Sequence, residues 1–304
     1  MIVITGSRGP LGHAMQQVLD KPNSCFMNSQ MADLTNTEQT YEYLRLLSES
    51  YEISSVIHLA ARSGGGHRSL NESASMFRDN MLMSLNLLDA CQRLDIKNII
   101  LVSSIAAYPS SVLNPSEANI HNGPIDSNDF SYGYAKRMME PIMRAYNSQY
   151  GLSIKTVVVN GILGPHMNFD DNTSILPAAL IKRFHSERNL DSPLIVWGDG
   201  TPIRQYTFSH DLARILLWCE SFQSPNTLLN IGSSESISVR NLAELVCQHL
   251  GISKQRLAFD VTKGNGRKAQ MMSNQDFVGQ SQFKYTTISD SLKETINWYV
   301  AENR

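Results

Sequence analysis

The chain has 304 residues, 42% of them hydrophobic and 18% charged, with a formal net charge of −2. That length can bury the core of one large α/β unit, or of a cofactor domain with a smaller companion. The near-neutral balance lacks the basic surplus that nucleic acid or an anionic membrane would attract, so neither is expected as a partner.

The chain opens on Ile2–Thr5, a strand pattern with no basic stretch before it, so no signal peptide is expected. Strand patterns recur at Cys25–Asn28, Ser55–Leu59, Asn98–Ser103 and Ile154–Asn160. Helical patterns lie between them, at Thr37–Ser50, Ser73–Leu94 and Tyr132–Tyr150. This alternation predicts an α/β fold, a Rossmann-type doubly wound parallel sheet. Beyond Gly164-Pro165 the texture changes to short strands (Leu194–Trp197, Leu228–Ile231), helices (Val239–Leu250, Ser289–Glu302) and polar loops. Residues 1–164 are therefore expected to form the cofactor domain and 165–304 a smaller C-terminal α/β substrate domain, with a segment near 205–235 returning to the first. No apolar run reaches membrane-spanning length. Cys25, Cys91, Cys219 and Cys247 form no CxxC pair, and the eight histidines show no ligand spacing. No metal is expected, and the thiols read as reduced groups of a cytoplasmic protein.

On the Ser73–Leu94 helix, Ala74, Phe77, Met81, Leu85 and Leu88 share one face, and Met76, Met83, Leu87, Ala90 and Leu94 the opposite one. A surface helix needs only one apolar stripe. The second predicts a further cover, and a homodimer through the 73–94 and 132–150 helices is the expectation. Pro141 is expected to kink the second of these helices locally.

Gly6-Ser7-Arg8-Gly9-Pro10-Leu11-Gly12 follows the first strand directly and opens a helix. In such a GxxGxxG loop Gly6 permits the tight turn, Gly9 lets backbone approach a pyrophosphate, and Gly12 allows close helix–sheet packing. The helix N-terminus, from Leu11 on, offers free N–H groups to phosphates. The second strand ends near Asn28 without the acid that would hold a ribose 2′-hydroxyl, whereas Arg8 can meet a 2′-phosphate; NADP(H) is the expected cofactor. Asp33 and Leu34 are placed against the adenine, unless Asp33 merely caps the next helix, and Ala60 joins the cofactor wall.

Tyr132 and Lys136, four residues apart, share a helix face, and Tyr134 does not. A phenol is a poor acid–base group at neutral pH, and a nearby ammonium is expected to lower its pKa. Ser104, at the carboxyl edge of the fourth strand, is the hydroxyl expected on a substrate carbonyl, with Ser103 as the alternative. Such a set polarises a ketone and protonates the alkoxide while a nicotinamide gives hydride.

These residues sit in longer strings: Ser55–Ala61 (SVIHLAA), Ile120–Pro124 (IHNGP), Gly164–Phe169 (GPHMNF) and Val196–Gln205 (VWGDGTPIRQ). Together with the Tyr132–Arg137 motif they resemble the GDP-L-fucose synthase family over almost the whole chain. The resemblance implies an extended short-chain reductase, dimeric, using NADPH on a GDP-linked 4-keto-sugar. It also implies that Asn160, Arg183, Trp197, Arg204 and Lys268 hold the nucleotide-sugar. From the residues alone, Trp197 reads equally as core and Arg267-Lys268 as a solvated basic pair.

The family inverts C3 and C5 with a Cys two residues after the active-site Ser and a His before an Ile/Val-x-Pro segment. Here Ala106 and Ser174 occupy those positions, and neither a methyl nor an unassisted hydroxyl removes a proton α to a ketone. C4 reduction of a GDP-4-keto-6-deoxy-sugar, hexose or heptose, without epimerisation is therefore the expected activity. A complete fucose synthase with substitute acid–base groups and a non-catalytic NADP-binding sensor are the alternatives.

Overall fold

The computed structural model describes residues 1–19, 21–64, 71–222 and 227–303. Six parallel strands form the main sheet: β1 (Ile2–Thr5), β2 (Ser24–Met27), β3 (Ser55–His58), β4 (Asn98–Ser104), β5 (Ser153–Val159) and β9 (Leu228–Asn230), in the order β2-β1-β3-β4-β5-β9. The chain leaves β1 towards β2 and then returns to place β3 on the other side of β1. That reversal opens a crevice at the carboxyl ends of β1 and β3, the position where α/β sheets receive ligands. Strands β3 and β4 are almost wholly buried, with helices on both faces of the sheet, which is why they read as continuous apolar runs. Helices α1 (Pro10–Val18) and α6 (Ser209–Ser221) cover one face. Helices α2 (Thr37–Ser50), α3 (Ser73–Arg93) and α4 (Phe130–Tyr150) cover the other.

The smaller domain is built on β6 (Gly161–Leu163), β8 (Ile203–Phe208), β10 (Ser236–Ser238) and β12 (Ala269–Gln270), with the pair β7 (Leu194–Trp197) and β11 (Leu257–Asp260) beside them. Helices α5 (Leu176–Ser186), α7 (Val239–Leu250) and α9 (Ile288–Glu302) close its core around Phe184, Leu194, Leu242 and Leu292. Strand β9 pairs with β5, and α6 packs on the main sheet through Leu212, Ile215 and Leu216. β8, by contrast, belongs to the smaller sheet. Phe277, on α8 (Gln275–Ser281), also enters the core of the first domain. Among the described residues no helix is long and apolar enough to cross a membrane, and no three His, Cys, Asp or Glu side chains gather as metal ligands.

Helix α3 departs from the two-stripe reading. Leu88, assigned to the outer stripe, is fully buried, because it lies close enough in angle to Leu87 and Cys91 to share their core. Ala74 and Phe77 remain exposed, and Met81 and Leu85 are half-buried. The inner face is partly polar: Asp79, Asn80, Ser84 and Asn86 are all buried. Helix α4 runs unbroken through Pro141 and ends on Gly151 in the left-handed conformation.

Helix α4 meets the turn after β4 at Gly133. A Cβ there would stand 2.5 Å from the Ala106 carbonyl oxygen and 2.6 Å from Cγ2 of Ile125. In an open helix interior, Gly→Ala stabilises by about 1 kcal/mol. Here the added methyl meets backbone, so overpacking reverses the sign. Gly133→Ala is expected to lower unfolding stability by about 1–3 kcal/mol in urea denaturation; a gain in stability would contradict the contact.

Candidate active site

Ser104, Tyr132 and Lys136 come together at the carboxyl end of β4. The Ser104 hydroxyl faces the Tyr132 phenol, where it favours the ionised form, and accepts the Ala106 N–H at 3.3 Å. Lys136 is only 2% exposed, and its ammonium donates to the Val102 carbonyl at 2.8 Å. It lies 5.9 Å from the centre of the Tyr132 ring. Ser103 is occupied elsewhere: buried, it donates to the backbone carbonyl of Lys136 at 2.8 Å, tying helix to strand. Of the two serines, Ser104 is the one that reaches the phenol.

The electrostatics correct the expectation for Tyr132. Its pKa is pushed up to about 12, chiefly by burial; the Ser104 hydroxyl opposes this and the Asp129 charge adds to it. Burial carries the lysine the other way, down to about 7. Desolvation disfavours both charged forms, and at this separation it outweighs the attraction between phenolate and ammonium.

At the glycine loop, each glycine has a distinct constraint. Gly6 sits at φ 71°, and a Cβ would lie 2.6 Å from the Ala60 nitrogen, so the loop and the chain after β3 touch backbone to backbone. Gly9 is the N-cap of α1 and faces open space, its would-be Cβ meeting only the Gly6 oxygen at 3.8 Å. A Cβ on Gly12 would be 2.5 Å from Cα of Ser7; the close packing is helix on loop, not helix on sheet. Leu11 is buried in the first turn of α1. Arg8 donates to the Ser29 hydroxyl at 2.9 Å, spanning the gap between the loop and the end of β2. Asp33 does not cap α2: Asn36 does, accepting from the Gln39 N–H, and one Asp33 oxygen takes both the N–H and the hydroxyl of Thr35. The Leu34 side chain lies in the core.

The expected nucleotide-sugar residues lie in different surroundings. Trp197 is 66% exposed at the end of β7, which removes the core reading. Beside it Arg183 donates to the Ile195 carbonyl and leaves its buried Nε unpartnered. Arg204 donates to the Ile203 carbonyl at 2.8 Å and lies within electrostatic range of Asp129 and Arg267. Asn160 is buried and its amide is used internally: it accepts from the Thr207 hydroxyl at 2.5 Å and donates to the Ser233 carbonyl at 2.8 Å. It joins the end of β5 to the smaller domain. Lys268 is exposed, and its neighbour Arg267 is the one that reaches Pro109 and faces Asp129.

Several supports had no local signal. Arg137 is buried and donates to the Ala107 and Gly123 carbonyls, both at 2.8 Å, fixing two site loops on α4. Ala60 is held through a chain of buried groups: its N–H donates to the Thr5 hydroxyl, which lies 2.9 Å from Nδ1 of His58. Ser84 gives its proton to the Asn80 carbonyl, so Nε2 of His58 is the donor towards Ser84 and Nδ1 accepts from Thr5. Burial, with the Lys136 charge, depresses this imidazole to about 3 and keeps it neutral. The Asn80 amide clamps both the N–H and the carbonyl of Arg62. Ala106 is buried, with its N–H on the Ser104 hydroxyl. Ser174 lies half-buried in the loop before α5, its N–H on the Asp170 carbonyl.

The comparisons agree with this architecture. A GDP-L-fucose synthase of Dictyostelium discoideum is 29% identical over 309 residues, covering 98% of this chain and 95% of that protein. The crystal structure of a GDP-L-fucose synthetase from Naegleria fowleri bound to NADP superposes with a TM-score of 0.88 at 28% identity, covering 99% and 93% of the two chains. A GDP-6-OMe-4-keto-L-xylo-heptose reductase from C. jejuni shares the fold, with a TM-score of 0.88 at 23% identity and coverage of 99% and 98%. The model of the NAD dependent epimerase/dehydratase family matches residues 2–232, and the chain belongs to that family.

Proposed function

We propose that this chain reduces the C4 ketone of a GDP-4-keto-6-deoxy-sugar, a hexose or a heptose, with NADPH, and leaves C3 and C5 unchanged. The carrying observation is the Ser104 hydroxyl facing Tyr132 beside a buried Lys136, with the methyl of Ala106 where an epimerase needs a proton carrier. The names of the similar proteins support the GDP-sugar class. A complete fucose synthase is the second reading, favoured by the Dictyostelium relative. Against it, His121 is engaged by the buried carboxylate of Glu140 at 2.8 Å, and His166 is stacked on His13 at 3.7 Å between ring centres.

The residues present fit an NADPH cofactor. The backbone cradle of Gly6, Gly9 and Ala60 admits a pyrophosphate, and Arg8 faces the place of a 2′-phosphate. When bound, the cofactor supplies the hydride for C4. Ser104 donates a hydrogen bond to the ketone oxygen, and Tyr132 gives its proton to the alkoxide that forms. A phenol with a pKa near 12 is fully protonated at neutral pH and still more acidic than an alkyl alcohol, so this transfer runs downhill. Lys136, once charged, holds the ribose hydroxyls and stabilises the phenolate. Asp33 and Ala60 border the adenine side. Arg183 and Trp197 flank the base, and Arg204 meets the diphosphate. The protein is a cytosolic homodimer in this reading. Phe77, Met81 and Leu85 of α3 and Phe130 and Ile142 of α4 provide an outward apolar surface for the second copy.

With NADPH and GDP-4-keto-6-deoxy-mannose, NMR of the product is expected to show a GDP-6-deoxyhexose with the C3 and C5 configurations of the substrate; GDP-L-fucose would overturn the reading. Tyr132→Phe is expected to lower kcat by about 10²–10⁴-fold, and undiminished turnover would remove Tyr132 from the chemistry. Because free Lys136 loses its charge above about pH 7, NADPH affinity is expected to be level below that pH and to weaken above it. Lys136→Met should abolish the break; a break that survives would assign it to another group. Phe77→Glu is expected to halve the mass seen by light scattering, and an unchanged mass would contradict the dimer surface.

A further inference from the structure

Asp129 is the last residue before helix α4, and the local structure makes no use of its carboxylate. It is the N-cap residue, where an aspartate ordinarily accepts an N–H of the first helical turn, yet it makes no such bond. Asp126, three residues earlier, does cap its own turn, accepting the Asn128 N–H at 3.0 Å. Arg204 and Arg267 act on the Asp129 carboxylate through space. Among the described residues, however, it forms neither a hydrogen bond nor an ion pair. Burial, with the Asp126 charge beside it, raises this carboxyl above its ordinary value. A half-buried carboxylate without a donor is costly to keep, and such groups call for a partner.

The helix gives that carboxylate its direction. Asp129, Tyr132 and Lys136 fall at i, i+3 and i+7, which is one face. Lys136 is innermost, on the Val102 carbonyl; Tyr132 stands one turn further out, and Asp129 one turn beyond that. The charge of Asp129 reaches the Tyr132 phenol. We infer that Asp129 is a specificity-determining residue, accepting a hydrogen bond from the ring hydroxyl beside the ketone, at C3 of the sugar. A carboxylate only accepts, so it selects a hydroxyl and repels phosphate oxygens. Ser104 and Tyr132 are committed to the ketone oxygen, and Ala106 presents a methyl, which leaves this hydroxyl for Asp129. The bond that the helix end forgoes is then made to the substrate. The assignment rests on the GDP-4-keto-sugar reading for the identity of the substrate.

The test compares kcat/KM, with NADPH, for GDP-4-keto-6-deoxy-mannose and its 3-deoxy analogue, GDP-4-keto-3,6-dideoxy-mannose. The wild type is expected to favour the 3-hydroxy sugar by about tenfold or more, the worth of a hydrogen bond to a charged acceptor. Asp129→Ala should bring that ratio near one, by losing rate on the 3-hydroxy sugar alone. Asp129→Ser, which suits a helix N-cap but is one atom too short to reach, should do the same and guards against a misfolded alanine variant. NADPH affinity, by calorimetry, should be unchanged in both. A wild-type ratio near one, or a ratio that survives both substitutions, would overturn the assignment. So would an equal loss of rate on the two sugars, which would confine Asp129 to its effect on Tyr132. All three outcomes leave the GDP-4-keto-sugar reading standing. A wild type that reduces neither sugar would overturn that reading and the assignment with it.

Discussion

The site depends on one steric fact, the direct contact of helix α4 with the turn after β4 at Gly133 and Ala106. With no side chain between them, successive residues of one helix face reach successive positions of one strand and turn. Lys136 donates to Val102, its carbonyl accepts from Ser103, the Tyr132 phenol meets Ser104, and Arg137 holds Ala107. Each contact alone is worth about 1 kcal/mol, but together they admit a single register of helix against strand. A reacting group in a ketone reductase must be placed within a fraction of an ångström, and this register provides that placement before any ligand arrives.

A second constraint is the shortage of negative charge around the same centre. Away from it, arginines find carboxylates: Arg45 pairs with Glu42 and Glu49, Arg62 with Glu72 and Asp79, Arg144 with Glu140. Within the site, Lys136, Arg183, Arg204 and Arg137 use backbone carbonyls, and burial lowers the pKa of all four. A carbonyl satisfies a donor without neutralising its charge. The cations are therefore held in a state that an anionic cofactor and an anionic substrate would relieve, so ligand binding and the charging of Lys136 favour each other.

How much of this was legible follows from the range of each interaction. The glycine loop and the Tyr132–Lys136 pair could be read because their chemistry is set by spacing along one turn or one helix. The polar chain Thr5–His58–Ser84–Asn80–Arg62 could not, since it links residues dozens of positions apart and its members look ordinary one at a time. Arg267 and Lys268 are neighbours in sequence, and only the packed structure shows that Arg267 reaches the Pro109 carbonyl while Lys268 stays exposed. Leu88 fell on the wrong side for a similar reason: its angle on α3 lies near the boundary of the buried face. The opposite movement of the Tyr132 and Lys136 pKa values was also hidden, because burial is a property of the packed domain and not of the motif.

In the proposed reaction Ser104, Tyr132 and Lys136 carry the whole of the protein's part in the proton and hydride chemistry. The most direct measurement is to hold the enzyme with GDP-4-keto-6-deoxy-mannose in deuterated water without NADPH, and to follow C3 and C5 by NMR. With a buried methyl at Ala106 and a hydroxyl at Ser174, no deuterium should enter either carbon beyond the enzyme-free rate. Enzyme-dependent exchange at C3 or C5 would show a second acid–base group at work and contradict the account.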